Sequence, residues 1–100
     1  LMDALTAEMH AVLMHLGQNP GCISHRMEHY IEHIFHLLPA DHETIALQYF
    51  GILGKTAVPL DRLAETNGYS LETMAMQIET DLRRLAVTPE WQMVRRLIQF

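Results

Sequence analysis

The segment "LDRLAETNGYSLETMAMQIETDLRRL", residues 60–85, holds a short helical pattern, a turn and a longer helical pattern. Asn67-Gly68 indicates the turn, since glycine readily adopts the positive φ that a tight turn needs. Ser70 is typical of a helix N-cap, and the leucines that follow return at helical spacing. Two helices joined by a short glycine-containing turn predict a helix-turn-helix, whose second helix enters the major groove in DNA-binding proteins.

The second helix of this segment divides into two faces at about 100° per residue. One sector is apolar and is predicted to face the core: Leu71, Met74, Ala75, Ile78, Leu82 and Leu85. The residues predicted to contact DNA or a partner protein are Ser70, Glu72, Thr73, Met76, Gln77, Thr80, Arg83 and Arg84. No basic residue occurs in the first two turns of this face, which is unusual for a helix that reads DNA.

The rest of the chain predicts an all-α protein with six helices, because no segment alternates with period two. Helices are expected over residues 3–16, 24–38, 40–50, 60–66, 71–85 and 89–98. Gly17 is the predicted stop of the first helix, and Ser24 and Thr88 are predicted N-caps. Helical spacing also places Leu5, Tyr30 and Leu37 on the core faces of the first two helices. The first two should form an N-terminal hairpin over residues 1–37, packed on a four-helix domain over residues 38–100. That hairpin is interpreted as a dimerisation or docking element, or as a layer that completes the core.

The net charge of −5 over 100 residues argues against binding nucleic acid through charge alone. Positive charge is concentrated near the C-terminus, where residues 83–100 hold four arginines and one glutamate. Contacts to phosphate are therefore expected from Arg95 and Arg96, and also from Lys55. The single Cys22 cannot form an internal disulfide, and there is no signal peptide or membrane-spanning run, so a cytoplasmic location is expected.

From Leu38 to the C-terminus the chain resembles region 4 of bacterial sigma factors, the domain that reads the −35 promoter element. The matching stretches are Leu38, Phe50-Gly51-Ile52, Leu60-Asp61-Arg62-Leu63-Ala64, Ser70-Leu71-Glu72-Thr73-Met74 and Leu82-Arg83-Arg84-Leu85. This resemblance implies a transcription-linked domain that contacts promoter DNA and docks on RNA polymerase or on activators. It implies no enzymatic activity and no cofactor.

The recognition helix departs from the sigma pattern. Leu71, Thr73 and Ala75 stand where the family has arginines, and Met76 replaces a glutamine. Each bidentate arginine–guanine pair discriminates by about 1–3 kcal/mol, and no such pair is available here. Glu72, Glu79 and Asp81 would in addition approach phosphates on bound DNA.

These departures favour a domain that acts mainly through protein contacts, with RNA polymerase or a transcription regulator as partner and weak or absent autonomous DNA binding. Two alternatives stay open. In the first, the domain is a sequence-specific, sigma-like promoter reader that acts as a homodimer or as part of a longer chain. In the second, it is a purely structural or dimerisation domain.

A stripe of histidines lies on the second predicted helix: His25, His29, His33 and His36. Histidine pairs at i, i+4 are able to bind a divalent metal, but one helix offers fewer ligands than a closed zinc site needs. No metal site is therefore predicted, and the alternatives are a pH-sensitive contact surface or a solvated polar face. Catalysis is not expected either, because the chain has no phosphate-binding loop and no nucleophile elbow.

Overall fold

A computed structural model of the chain describes residues 2–98. The helices are α1 (Ala4–Gln18), α2 (His25–Phe35), α3 (Ala40–Phe50), α4 (Leu60–Thr66), α5 (Leu71–Ala86) and α6 (Pro89–Val94). A single 3-10 turn, Pro20–Cys22, lies between α1 and α2. Residues 2–98 contain no strand, so the all-α prediction with six helices is confirmed.

Four of the helices begin at a side chain that accepts a hydrogen bond from the first helical turn. Ser24, Ser70 and Thr88 act in this way, as their positions in the sequence predict, and Asp3 caps α1. Such a cap satisfies a backbone N–H that has no partner inside the helix and contributes about 1 kcal/mol. The helix starts are therefore fixed by local chemistry.

Three helix ends differ from the prediction. The last helix ends at Val94 and a turn follows, although helix was expected to residue 98. The second helix ends at Phe35, and residues 36–38 form a turn ahead of Pro39. The first helix continues through Gly17, which the sequence suggested as its stop, to Gln18. A Cβ at position 17 would lie 2.0 Å from the carbonyl oxygen of Phe50, so this glycine lets α1 approach the end of α3.

The buried side chains form two clusters, and α5 contributes to both. The larger cluster holds residues of α1, α2, α3, α5 and α6, with Phe35 and Trp91 among its largest buried side chains. The smaller cluster consists of Ile45, Leu63, Ala64, Met74 and Ile78. The N-terminal half of α5 (residues 71–78) therefore packs mainly on α4, and its C-terminal half (residues 79–86) joins the main core.

The N-terminal helices are part of this core, but the predicted hairpin is not confirmed. Helix α1 packs most closely against α5 and α3, whereas α2 packs most closely against α6. The closely packed pairs within residues 2–98 do not include α1 with α2. Buried residues of α1 and α5 share the larger cluster, and this explains why α1 lies on α5.

Several residues that the helical patterns placed in the core are exposed: Leu5, Tyr30, Leu37, Leu71 and Ala75. Leu71 lies in the first turn of α5, whereas the buried residues of the short helix α4 meet α5 further along, at Met74 and Ile78. The predicted apolar sector of α5 is therefore wrong for Leu71 and Ala75 and correct for its other four residues.

Candidate interaction site on helix α5

The turn before α5 is held by backbone hydrogen bonds. Gly68 has a φ of +74°, and the Tyr69 N–H donates to the Ala64 carbonyl oxygen at 2.8 Å. The Asn67 side-chain amide donates to the Leu63 carbonyl oxygen, also at 2.8 Å. The Ser70 hydroxyl oxygen then accepts from the backbone N–H of Thr73. These hydrogen bonds fix the start of α5 relative to α4.

Seven of the eight predicted contact residues are exposed, and we call the five that precede the arginines the α5 face: Ser70, Glu72, Thr73, Met76 and Thr80. Met76 is the most exposed large apolar residue of α5, at 68%. The face has no basic residue and one carboxylate. It therefore offers an apolar side chain among hydroxyl groups, with a negative charge beside them.

Gln77 differs from these five residues. Its side chain is partly buried, and its amide nitrogen is enclosed without a hydrogen-bond partner among residues 2–98. A glutamine that reads a base presents its amide to the groove. In this structure the Gln77 amide faces the protein.

Arg83 is the first basic residue along α5, and carboxylates of its own chain hold it. Its guanidinium donates to Glu79 Oε2 at 3.1 Å, and its Nε lies 3.7 Å from Asp3 Oδ2 at the start of α1. The pKa of the Asp3 carboxyl is lowered, mainly by the capping hydrogen bond from the Thr6 N–H and to a lesser degree by the Arg83 charge. Arg84, by contrast, is exposed and forms no ion pair within residues 2–98.

Arg95 follows α6 and pairs with Glu8 of α1. Two hydrogen bonds join the guanidinium to the carboxylate, with Nη2 to Oε2 at 2.6 Å. The arginine hydrogen bond lowers the pKa of Glu8, and the carboxylate raises the pKa of Arg95 in return. Lys55 and Arg96 are exposed and unpaired within the described part of the chain. Of the predicted cationic contact residues, Arg83 and Arg95 are therefore paired with carboxylates, and Lys55, Arg84 and Arg96 are not.

Asp81 corrects an expectation from the sequence, because it does not approach the outer side of α5. Its side chain is only 5% exposed, and His42 Nδ1 of α3 donates to its Oδ2 at 2.9 Å. The pair joins α3 to α5 inside the protein. The helical angle could have revealed this, since Asp81 lies in the same sector as Met74 and Ile78.

The histidine stripe spreads over several surroundings. The rings of His25 and His29 pack edge to face, with centroids 4.8 Å apart. His36 contacts Glu43 at 2.9 Å, and His33 lies beside a groove between α2 and α6. No three His, Cys, Asp or Glu side chains within residues 2–98 form a group that could hold a metal ion.

Comparison of the chain with protein-family models, with curated proteins and with solved structures gives no match. Among residues 2–98, no helix has both the length and the apolar character that crossing a bilayer requires.

Proposed function

We propose that this chain is a non-enzymatic, transcription-associated domain whose α5 face contacts a protein, either RNA polymerase or a transcription regulator. The supporting observation is the charge of α5: the face has no basic residue, and the first arginine after it, Arg83, is held by Asp3 and Glu79. The resemblance to sigma factor region 4, carried by the motifs quoted above, supplies the class of partner.

Electrostatics argues against tight, autonomous DNA binding through α5. A protein gains affinity for DNA from each phosphate that a free lysine or arginine neutralises. Glu72 on the α5 face and Glu79 beside it would instead bring negative charge toward the DNA backbone. To contact phosphate, Arg83 would have to break its ion pairs with Asp3 and Glu79. Arg84 is the one cation of α5 without an ion pair among residues 2–98.

The α5 face suits a protein surface better. Met76 adapts its shape to a partner because its side chain is unbranched and polarisable. Thr73 lies three residues before Met76 and Thr80 four residues after it, so both supply hydroxyl groups for hydrogen bonds on the same side of the helix. Methionine is enriched at protein interfaces, whose cores hold few charged residues.

A pull-down with purified bacterial RNA polymerase core enzyme tests this proposal. We expect the immobilised chain to retain the polymerase and Met76→Glu to reduce retention at least about tenfold, which corresponds to about 1.4 kcal/mol. The matched control is Met93→Glu, since Met93 on α6 is 69% exposed and lies outside the α5 face. Equal retention by both variants and the unchanged chain would overturn the proposed surface.

The same comparison is made with a transcription regulator as bait if polymerase is not retained by the unchanged chain. Circular dichroism is the control that checks whether both variants keep their helices. Failure of polymerase and of a panel of purified sigma-binding regulators to bind the unchanged chain would count against a transcription partner altogether.

DNA binding is the second candidate, and the exposed Thr73, Thr80 and Arg84 are the observation that favours it. A mobility-shift assay with promoter fragments over a range of salt concentrations distinguishes the two. Under the lead proposal no discrete complex forms. A complex that weakens steeply with salt and is lost with Arg84→Gln would instead support promoter reading.

A further inference from the structure

A groove of about 340 Å³ lies between α2 and α6, on residues that the proposed function does not use. Ile34 of α2 and Val94 of α6 are buried and contribute to its base. Its other lining residues are Tyr30 and His33 of α2, Pro89, Glu90 and Met93 of α6, and Leu97 just after α6. The groove is therefore lined mainly by apolar side chains.

Large apolar side chains project at the edges of this groove. Met93 is 69% exposed, Leu97 58% and Tyr30 40%. Single exposed apolar residues are common on proteins, but a contiguous group around a concave surface marks an interaction site. Projecting side chains beside a groove also provide both halves of a contact, because such side chains on one molecule are able to pack into the groove of another.

The polar groups at the two edges are complementary in the same way. The α2 edge carries His33, whose ring N–H donates a hydrogen bond, and the α6 edge carries the exposed carboxylate of Glu90, which accepts one. A two-fold axis parallel to the groove would bring the α2 edge of one molecule opposite the α6 edge of the other. His33 of each copy would then face Glu90 of its partner.

We propose that a second copy of this chain covers the α2–α6 groove in a two-fold symmetric dimer. Met93 and Leu97 of each copy pack against the α2 edge of the other, and two His33–Glu90 contacts flank the apolar centre. The proposal is independent of the α5 face, and a dimer of this kind leaves Met76 exposed. Two-fold dimers with one self-complementary surface are the commonest protein oligomers.

The size of the surface indicates a weak dimer. A stable complex buries roughly 800 Å² on each partner, which is about one eighth of the 6142 Å² that this chain exposes. An interface formed by the eleven-residue α2 and the six-residue α6 is expected to fall below that area. The dimer should therefore dissociate on dilution, and its detection needs concentrations from the low micromolar to the near-millimolar range.

Sedimentation velocity over that concentration range is the first test. We expect the unchanged chain to shift from monomer to dimer, and Met93→Glu to weaken the association at least about tenfold. Met76→Glu is the matched control and should dimerise as the unchanged chain does. Circular dichroism checks the fold of each variant, and Met93→Ala repeats the test with a milder change.

Charge reversal then tests the symmetry. His33→Glu places two carboxylates opposite each other, and Glu90→Arg removes the acceptor for the His33 ring N–H, so each single variant should dimerise more weakly. A mixture of the two variants should form a heterodimer, because one native and one reversed pair result. The double variant should recover self-association.

Three results would overturn the proposal: a monomer at every concentration, a dimer that Met93→Glu leaves unchanged, or charge-reversed variants without the expected rescue. The polymerase pull-down depends on Met76 and sedimentation on Met93, so the failure of one proposal leaves the other to be judged by its own variant.

Discussion

The two halves of α5 are held in different ways. The N-terminal half packs mainly on α4, in a cluster of five buried residues that includes Ile45 of α3, and no ion pair joins its outer side to another helix among residues 2–98. The C-terminal half enters the larger cluster, and two polar contacts tie it to other helices. Arg83 reaches Asp3 of α1, and Asp81 accepts from His42 of α3.

This difference separates the part of the helix that stabilises the fold from the part that offers a surface. A helix is rigid along its length, so anchoring the C-terminal half also positions the N-terminal half. The α5 face therefore remains free for a partner without leaving α5 disordered. Regions with few buried contacts open more easily, and hydrogen exchange is expected to be faster at Met74 than at Leu82.

The largest expected effect is on the core of the C-terminal half. Leu82→Ala should lower the free energy of unfolding by about 2–5 kcal/mol, because it leaves a cavity in the larger cluster. Met74→Ala removes an equally buried side chain from the smaller cluster, whose few neighbours relax more easily, and should cost less. Urea denaturation measures both variants. A larger loss for Met74→Ala would reverse the comparison.

A smaller effect is expected from the polar contact between α3 and α5. Asp81→Ala leaves His42 without its acceptor and should cost about 1–3 kcal/mol. Glu72→Ala, on the exposed half of the same helix, is the control and should change stability by less than about 0.5 kcal/mol. The measurement is again urea denaturation, and equal values for the two variants would show that the buried pair contributes nothing.

The features that the sequence predicted correctly depend on neighbouring residues. Each helix cap requires only a side-chain oxygen and a backbone N–H three residues apart, and so the caps at Ser24, Ser70 and Thr88 can be predicted from the local sequence. The core sector of α5 follows from helical spacing for the same reason. Such interactions need no knowledge of which helices meet.

The features that were missed depend on residues far apart in the chain. His42 and Asp81 are separated by 39 positions, and Glu8 and Arg95 by 87. The first pair joins α3 to α5 and the second joins α1 to the residue after α6, so each depends on how helices distant in the sequence pack together. The likeness of α5 to a DNA-reading helix also did not reveal that Arg83 is held by carboxylates of this chain.

Loss of the α5 cap should have an effect of about 1 kcal/mol, concentrated in the N-terminal half. Ser70→Ala removes the acceptor for the Thr73 N–H. Hydrogen exchange should speed up at Thr73 and at Met74, and should be unchanged at Leu82. Ser24→Ala, which removes the corresponding cap of α2, is the control and should leave the amides of α5 protected.

The smallest effect concerns the contact between α1 and Arg83. The pKa of Asp3 in the folded chain lies below the ordinary value of about 3.9. Its ionised form therefore adds stability above that pH, and this stability is lost as the pH falls through the lower folded-state value. Thermal denaturation of Asp3→Asn should accordingly depend less on pH between about 5 and 2 than that of the unchanged chain.

Arg83→Gln separates the two causes of the Asp3 shift. The hydrogen bond from the Thr6 N–H lowers this pKa more than the arginine charge does, so the variant should keep most of the pH dependence that Asp3→Asn removes. Its own effect on stability should be below about 1 kcal/mol and should fall with added salt, because both side chains are about half exposed. If Arg83→Gln abolished the pH dependence, the ion pair would outweigh the cap. The C-terminal half of α5 would then be tied to α1 more strongly by charge than the 3.7 Å contact indicates.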